Sequence, residues 1–124
     1  MIDVTELLDA LENAKGTIEP KPWGYEFVID TESFLLKFIH INDGERTALH
    51  YHDQKDELNV IVGIGDENRG TIIGEDGEPL PGDRIVRIHP GVVHRAVGPL
   101  DMIEMTSHHP DDITRIADDY GRVQ

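Results

Sequence analysis

The sequence contains no cysteine, and this absence excludes several classes of small protein. A disulfide scaffold, a thiol nucleophile and a zinc–thiolate finger all need cysteine sulfur, so none of them can be built from these 124 residues. A chain of this length can still bury one modest hydrophobic core without such covalent or metal supports. We therefore expect a single domain over residues 1–124.

Positive charge is scarce, because 11 Lys and Arg stand against 25 Asp and Glu, for a formal net charge of -14. Proteins that bind nucleic acids or anionic membranes neutralise phosphates with Lys and Arg, so we expect neither partner. Long apolar runs are also missing, since no stretch approaches the roughly 18 residues of a membrane span. Acids such as Asp3 and Glu6 occupy the N-terminus, where a secretory signal carries basic residues. We therefore expect a cytoplasmic protein.

The first twenty residues show the pattern of an amphipathic helix. Apolar residues recur at the i, i+3, i+4 and i+7 positions of one helical face, as Val4, Leu7, Leu8 and Leu11. Asp3 is suited to the N-cap and Gly16 to the end of the helix, and a proline-containing stretch over 20–24 then leads into extended chain. The sequence therefore predicts an N-terminal helical extension over residues 1–20.

Residues 25–108 have the pattern of short strands. Segments rich in aromatic and β-branched residues alternate with turn sequences such as Asn42-Asp43-Gly44, and no helical pattern intervenes. Strands that recur every roughly 8–12 residues indicate an all-β sandwich or barrel. In the tail over 109–124, Ile113 and Ile116 are three positions apart and Gly121 lies beyond them, which predicts one short C-terminal helix.

Histidine is unusually frequent, with seven residues, and three of the histidines stand with one glutamate at positions suited to a metal site. His50 and His52 are one residue apart in a predicted strand, so both imidazoles lie on the same face. Glu57 follows at the start of an apolar strand, and His94 enters a later one. Imidazoles and a carboxylate that converge from neighbouring strands can bind a metal, although a single histidine is more often a surface or core residue.

Two stretches of the sequence resemble the conserved motifs of the cupin superfamily. Gly44-x5-His50-x-His52-x4-Glu57-x5-Gly63 is similar to the first motif, and Gly82-Asp83 through His89-Pro90-Gly91-x2-His94 is similar to the second. The second motif has one extra residue between its first glycine and the proline. It also has His89 where cupins often have proline, and it ends on Gly98 in place of asparagine. The resemblance implies an all-β double-stranded β-helix, or jelly-roll barrel, with a metal held by His50, His52, Glu57 and His94.

Residues 20–122 further resemble the type II mannose-6-phosphate isomerase branch of the cupins. The similar segments are Pro22–Gly24, Phe34–Lys37, Val92–Arg95, Ile103–Glu104, Asp111–Arg115 and Asp119–Arg122. Fused two-domain members of that branch tend to have glutamine where His50 stands, whereas this chain has the full ligand set of single-domain cupins. The resemblance is specific in the tail and looser in the middle of the chain.

This resemblance implies a chemistry and a cofactor. A centre with nitrogen and carboxylate ligands and no sulfur suits one divalent transition metal, Zn, Mn, Fe, Ni or Co, and we expect no other cofactor. The implied function is a sugar or sugar-phosphate isomerase or epimerase, in which the metal stabilises an enediolate while a base moves a proton between adjacent carbons. Lys37 is the first candidate for that base, since an inward-facing, partly desolvated lysine would have a lowered pKa. Glu104 is an alternative base, and Arg122 could hold a phosphate or oxyanion at the barrel mouth.

Two other functions stay open at this point. An Fe(II) centre with the same ligands could serve an oxygenase of a small polar metabolite, and a cupin without catalytic activity could bind a small molecule beside a structural metal. Because few cations are available to hold a phosphate, an unphosphorylated sugar competes with a sugar phosphate as the substrate. The resemblance also implies a homodimer formed through sheet edges, for which the residues before Gly24 are available.

Overall fold

The computed structural model describes residues 3–62 and 69–123, and these ranges contain one helix followed by ten strands. The elements are α1 (Val4–Asn13), β1 (Lys15–Lys21), β2 (Gly24–Asp30), β3 (Phe34–Ile41), β4 (Leu49–Tyr51), β5 (Glu57–Val62), β6 (Thr71–Gly74), β7 (Ile85–Ile88), β8 (His94–Val97), β9 (Leu100–Ser107) and β10 (Thr114–Ala117). Gly63, which ends the first motif of the sequence, lies outside the described residues. The prediction of an all-β fold is confirmed.

The strands form two antiparallel sheets around one core. The larger sheet has the order β1-β2-β3-β9-β5-β7, and the smaller has the order β10-β4-β8-β6. Buried residues of both sheets meet between them, with Ile39, Ile61 and Met102 from the larger sheet and Ile72 and Ala96 from the smaller. Burial of this apolar surface is the main favourable term in folding, and it brings the inner faces of the two sheets together.

The N-terminal segment contains the predicted helix, but the helix is shorter than predicted. Asp3 caps α1 by accepting a hydrogen bond from the Thr5 N–H at 2.7 Å. Residues beyond the helix form β1, which pairs with β2 along its whole length. A Cβ at Gly16 would lie 2.4 Å from Cζ of Phe27, so glycine lets this aromatic ring lie across β1. The prediction of a helical extension as far as residue 20 is therefore wrong for its second half.

The predicted C-terminal helix is a strand in the structure. β10 pairs with β4, and Arg115 lies directly opposite His50 in that register. Ile113 and Ile116, whose spacing suggested a helix, are 39% and 45% exposed, so they bury no helical face. Backbone hydrogen bonds to the open edge of β4 stabilise this segment instead. Pairing with β4 therefore outweighs the local helical pattern. The tail thus completes the smaller sheet beside the histidines.

The described part of the chain contains no helix with the length and apolarity that crossing a membrane requires.

Candidate metal centre

Three histidines converge between the sheets. His50 lies in β4, His52 directly follows that strand, and His94 begins β8, where it is the cross-strand partner of His50. One ring nitrogen from each of the three lies within 4.8 Å of the others. A cluster of three imidazoles at this spacing is able to bind a metal ion.

Backbone carbonyl groups fix the orientation of all three rings. Nδ1 of His50 lies 2.7 Å from the carbonyl oxygen of Ala48, and Nδ1 of His94 lies 2.9 Å from that of Val92. Nδ1 of His52 lies 2.5 Å from the carbonyl oxygen of Asp112. Because a carbonyl oxygen only accepts, each Nδ1 carries a proton, and in the neutral ring Nε2 then offers a lone pair. This arrangement is the usual one for histidine ligands of a metal.

Glu57 lies beside the histidines and supplies a negative charge. The residue is 2% exposed, and its Oε1 is 2.8 Å from Nε2 of His94 and 3.6 Å from Nε2 of His52. This oxygen has no hydrogen-bond partner among the described residues. In the neutral rings, whose proton is on Nδ1, lone pairs of oxygen and nitrogen face one another without a proton between them. These lone pairs repel each other, and a divalent cation would relieve the repulsion, so Glu57 fits a transition metal beside the three histidines.

The imidazole of His50 is held in the neutral form that can bind a metal. Burial and the neighbouring His94 lower the pKa of His50 to about 3, so its imidazole is neutral at physiological pH. Only the neutral ring has a lone pair to give to a metal.

Hydrogen bonds between the C-terminal segment and the turn over residues 53–55 stabilise the centre. The carboxylate of Asp112 accepts hydrogen bonds from the three consecutive backbone N–H groups of residues 53–55, at 2.9, 2.7 and 2.8 Å. Partial burial opposes ionisation, but these three donors lower the pKa of Asp112 to about 2. Its carbonyl oxygen also holds His52. One residue therefore fixes both a histidine and the turn that leads from it to Glu57.

A cavity of about 200 Å³ opens beside the centre. Its charged and polar lining residues include the four of the centre together with Glu19, Lys21, Glu26, Lys37, Lys55, Asn59, Glu104, Arg115 and Arg122. The register of the larger sheet places Asn59, Glu104 and Lys37 directly opposite one another on β5, β9 and β3. The inner face of that sheet thus presents a row of polar side chains to the cavity.

Lys37 lies in this row but does not have the predicted low pKa. Burial alone would lower the pKa, yet the carboxylates of Glu104 and Glu26 more than offset it and raise the pKa above its ordinary value. Nζ of Lys37 is 3.5 Å from Oε2 of Glu26. The expectation of a lowered pKa is wrong, because the sequence did not show that two acids would face this lysine. Burial and the charge of Glu57 raise the pKa of Glu104 well above its ordinary value.

Lys55 is a cavity residue that the sequence analysis missed. It is 5% exposed, and its pKa is lowered, first by burial and then by the charge of Lys37. The residue lies in the turn between His52 and Glu57, where no strand or helix period indicates which side chains point inward. Only its position two residues before Glu57 could have suggested a place near the centre.

Arg122 lines the cavity, but its guanidinium is already hydrogen-bonded to a carboxylate. Nε and Nη2 of Arg122 each donate to Asp118 at 2.9 Å, and its backbone N–H donates to the same carboxylate at 2.7 Å. The structure therefore does not present this arginine as a free anion-binding group. The predicted role in holding a phosphate stays a prediction, and it would require the pair with Asp118 to break.

No protein-family model matches the chain, and neither does any curated protein. Solved structures do match. A protein from Planctomyces limnophilus is 25% identical and has a TM-score of 0.59 over 91% of this chain and 93% of that chain. Rru_A2000 from Rhodospirillum rubrum, a cupin-2 domain, is 14% identical with a TM-score of 0.61, over 84% of this chain and 76% of that chain. The protein has the cupin fold.

A third similar structure has a named activity. Pac13 from Streptomyces, a nucleoside dehydratase, is 12% identical to this chain and has a TM-score of 0.63 over 87% of this chain and 88% of that chain. Identity at this level shows a common fold only. The chemistry of this protein must therefore be argued from its own site.

Proposed function

We propose that this cupin binds one divalent transition metal through His50, His52, Glu57 and His94 and catalyses proton transfer in a small hydroxylated substrate. Sugar or sugar-phosphate isomerisation or epimerisation is the first candidate reaction. The observation that carries the proposal is the position of Lys37, Lys55 and Glu104 in the cavity beside the histidines. The resemblance of the sequence to the mannose-6-phosphate isomerase branch supports the same reaction.

The chain's own residues divide the work of such a reaction. A divalent metal, when bound, would polarise neighbouring substrate oxygens and stabilise the negative charge that loss of a carbon-bound proton creates. Lys37, held between Glu104 and Glu26, keeps its proton and stabilises or protonates a substrate oxygen. Glu104 and Lys55 are the two groups placed to take a proton from carbon and return it to the adjacent carbon.

Dehydration of a hydroxylated substrate is the second candidate. It also begins with removal of a proton from carbon, and it needs an acid to protonate the departing hydroxyl group. Glu104 is favoured for that role, because burial and the charge of Glu57 raise the pKa of its carboxyl group well above the ordinary value. An oxygenase would make no use of the ionisable row beside the centre, so we place it behind these two reactions.

The test is proton exchange in D₂O. Metal-loaded protein is incubated with aldoses, ketoses and their 6-phosphates, and ¹H NMR follows both deuterium uptake at carbon and conversion to product. We expect exchange that Glu104→Gln reduces by at least about 100-fold with the metal content unchanged. Glu19→Gln, at another lining position, is the matched control. Full metal occupancy with no exchange on any of these substrates would contradict an isomerase.

We infer that the macromolecular partner is a second copy of this chain. The outer face of the larger sheet carries a continuous apolar row across all six strands, formed in order by Ile18, Phe27, Phe38, Ile103, Val60 and Ile85. The exposed fractions of Ile18, Phe38 and Ile85 are 69%, 42% and 58%. An exposed apolar row of this kind is typical of an interface.

Charge favours a second copy over a different partner. Charged groups at the margins of this face are already paired, Asp101 with His40 at 2.6 Å and Arg87 with Asp56 at 2.5 Å. Two chains of net charge -14 repel each other, so they can associate only through surfaces that carry no net charge. A cationic partner would be drawn to the acidic surface instead. We therefore favour a face-to-face dimer of the larger sheets over the edge-to-edge dimer that the sequence suggested.

A further inference from the structure

Besides Oε1 of Glu57, two polar atoms in the cavity walls are buried without a hydrogen-bond partner in the described part of the chain. They are Oδ1 of Asn59, on β5 of the larger sheet, and Nε of Arg115, on β10 of the smaller sheet. Both residues line the cavity. A buried acceptor and a buried donor that are left unpaired are unfavourable in the protein alone, and a bound ligand can satisfy both.

The amide oxygen of Asn59 takes no part in a hydrogen bond among the described residues. The residue is 1% exposed, and the backbone of β5 is paired on both sides, with β9 and β7. An apolar residue of the same size would pack at this position without an unpaired oxygen. Its neighbours in the cavity are carboxylates, since Glu57 precedes it by two residues and Glu104 faces it across the sheet. The amide oxygen therefore adds an acceptor without adding a further negative charge, and a ligand hydroxyl group that donates a hydrogen bond would satisfy it.

Arg115 provides the opposite chemistry on the other wall. It lies directly across from His50, so the histidine cluster is next to it. The nearby carboxylate of Asp118 already accepts three hydrogen bonds from Arg122 and leaves Nε of Arg115 unsatisfied. A guanidinium donor facing a cavity matches a carboxylate or phosphate oxygen.

We propose that the cavity binds a small hydroxylated anion across the metal centre. A hydroxyl group of the ligand donates to Oδ1 of Asn59, and an oxygen of its carboxylate or phosphate accepts from Nε of Arg115. This assignment rests on the proposed function, because the centre lies between the two walls. A volume of about 200 Å³ suits a molecule of the size of a sugar acid or a sugar phosphate.

The test measures binding to the metal-loaded protein by isothermal titration calorimetry. Three ligands vary the anionic group, namely mannose with none, gluconate with a carboxylate and mannose 6-phosphate with a phosphate. Hexanoate adds a carboxylate of similar length that has no hydroxyl group. We expect gluconate or mannose 6-phosphate to bind at least tenfold more tightly than mannose and hexanoate, and the tighter of the two identifies the anionic group.

Substitutions then assign the two contacts. Arg115→Gln should weaken binding of the favoured anion at least tenfold and leave mannose unchanged. Asn59→Leu should weaken binding of the hydroxylated anion at least tenfold and leave binding of hexanoate unchanged. Arg69→Gln, at a surface arginine that is paired with Asp43 and does not line the cavity, is the matched control, with melting temperatures to verify folding, and its binding should equal that of the wild type.

The outcomes separate this proposal from the proposed function. Equal binding of mannose and both anions would contradict the assignment of a hydroxylated anion as the ligand. A loss of anion binding in Arg122→Gln but not in Arg115→Gln would contradict it as well. Binding in the expected pattern without any proton exchange in D₂O would instead contradict the isomerase and leave the ligand assignment in place.

Discussion

At the scale of single residues, the orientation of three imidazoles decides what the centre can bind. Each ring of His50, His52 and His94 donates from Nδ1 to a backbone carbonyl, so rotation of a ring would break a hydrogen bond that is shielded from water. The Nε2 atoms therefore point towards one another even without a bound metal. Preorganisation of this kind raises affinity, because less conformational entropy is lost on binding.

Loss of one ring should remove the metal. We expect wild-type protein to retain about one divalent metal per chain after dialysis and His94→Ala to retain less than about a tenth of that, because three-point coordination is broken. His108→Ala is the control, since His108 is paired with Asp30 at the surface. Metal content is measured by mass spectrometry of the dialysed protein. Unchanged metal in His94→Ala would contradict the proposed ligand set.

At the scale of elements, the C-terminal segment holds the centre together. β10 pairs with the strand that carries His50, and the residue two positions before β10, Asp112, binds both His52 and the turn over 53–55. The predicted helix would have offered none of these backbone contacts. A strand in this position links the end of the chain to the metal ligands.

Asp112→Asn should weaken metal binding with only a modest loss of stability. The amide keeps the shape of the side chain but loses the charge that three N–H groups stabilise, and we expect metal affinity to fall by about 10-fold or more. The absorption spectrum of the Co(II)-loaded protein should shift as the geometry at His52 relaxes. Asp111→Asn, at an exposed neighbouring position, is the control. A variant with wild-type affinity and spectrum would show that the turn is held in another way.

The pair of Asp118 and Arg122 should make the protein sensitive to acid. Hydrogen bonds from Arg122 lower the pKa of Asp118 from 3.8 to about 2, and its carboxylate is fully buried. The charged form is thus favoured in the folded state, so the stabilisation is complete above about pH 4 and is lost as the pH falls towards 2. We expect a loss of up to ~2 kcal/mol in the free energy of unfolding over that window. Urea unfolding measures it, and Asp118→Asn should show a smaller dependence on pH.

The sequence predicted the histidine cluster far better than it predicted the rest of the cavity. His50 and His52 could be assigned to one face from strand periodicity, and the glycines around them supplied a motif. In β5, however, the usual alternation is inverted, since Asn59 points inward while Leu58 is 38% exposed. A pattern argument assumes an apolar interior and a polar exterior. Here the interior is a polar cavity and the exterior is an apolar face, so polar residues such as Asn59 could not be assigned to the interior.

At the scale of the whole molecule, charge and apolar surface are separated. The acids are distributed over the rest of the molecule, whereas the outer face of the larger sheet carries an uncharged central row. In the dimer that we propose, such a division would direct a strongly acidic chain to self-associate through this face.

The absence of cysteine makes the interface simple to test. We expect light scattering to give twice the chain mass of 13.9 kDa. Phe38→Cys should form an intermolecular disulfide under mild oxidation, because the centres of two stacked faces meet. Ile116→Cys, at an exposed apolar position on β10, is the control and should not cross-link. A 13.9 kDa species at high concentration, or equal cross-linking of the two variants, would contradict the face-to-face dimer.

The inverted alternation of β5 also bears on folding. A slip of one residue between β5 and β9 would turn Leu58 and Val60 towards the cavity and expose Glu57 and Asn59, giving the strand a more ordinary polar exterior. Local preference therefore favours the wrong register. Only the native register places Glu57 against His94. A metal bound there would stabilise the native alignment, so we expect protein folded in a chelator to contain more misaligned chains than protein folded with metal present.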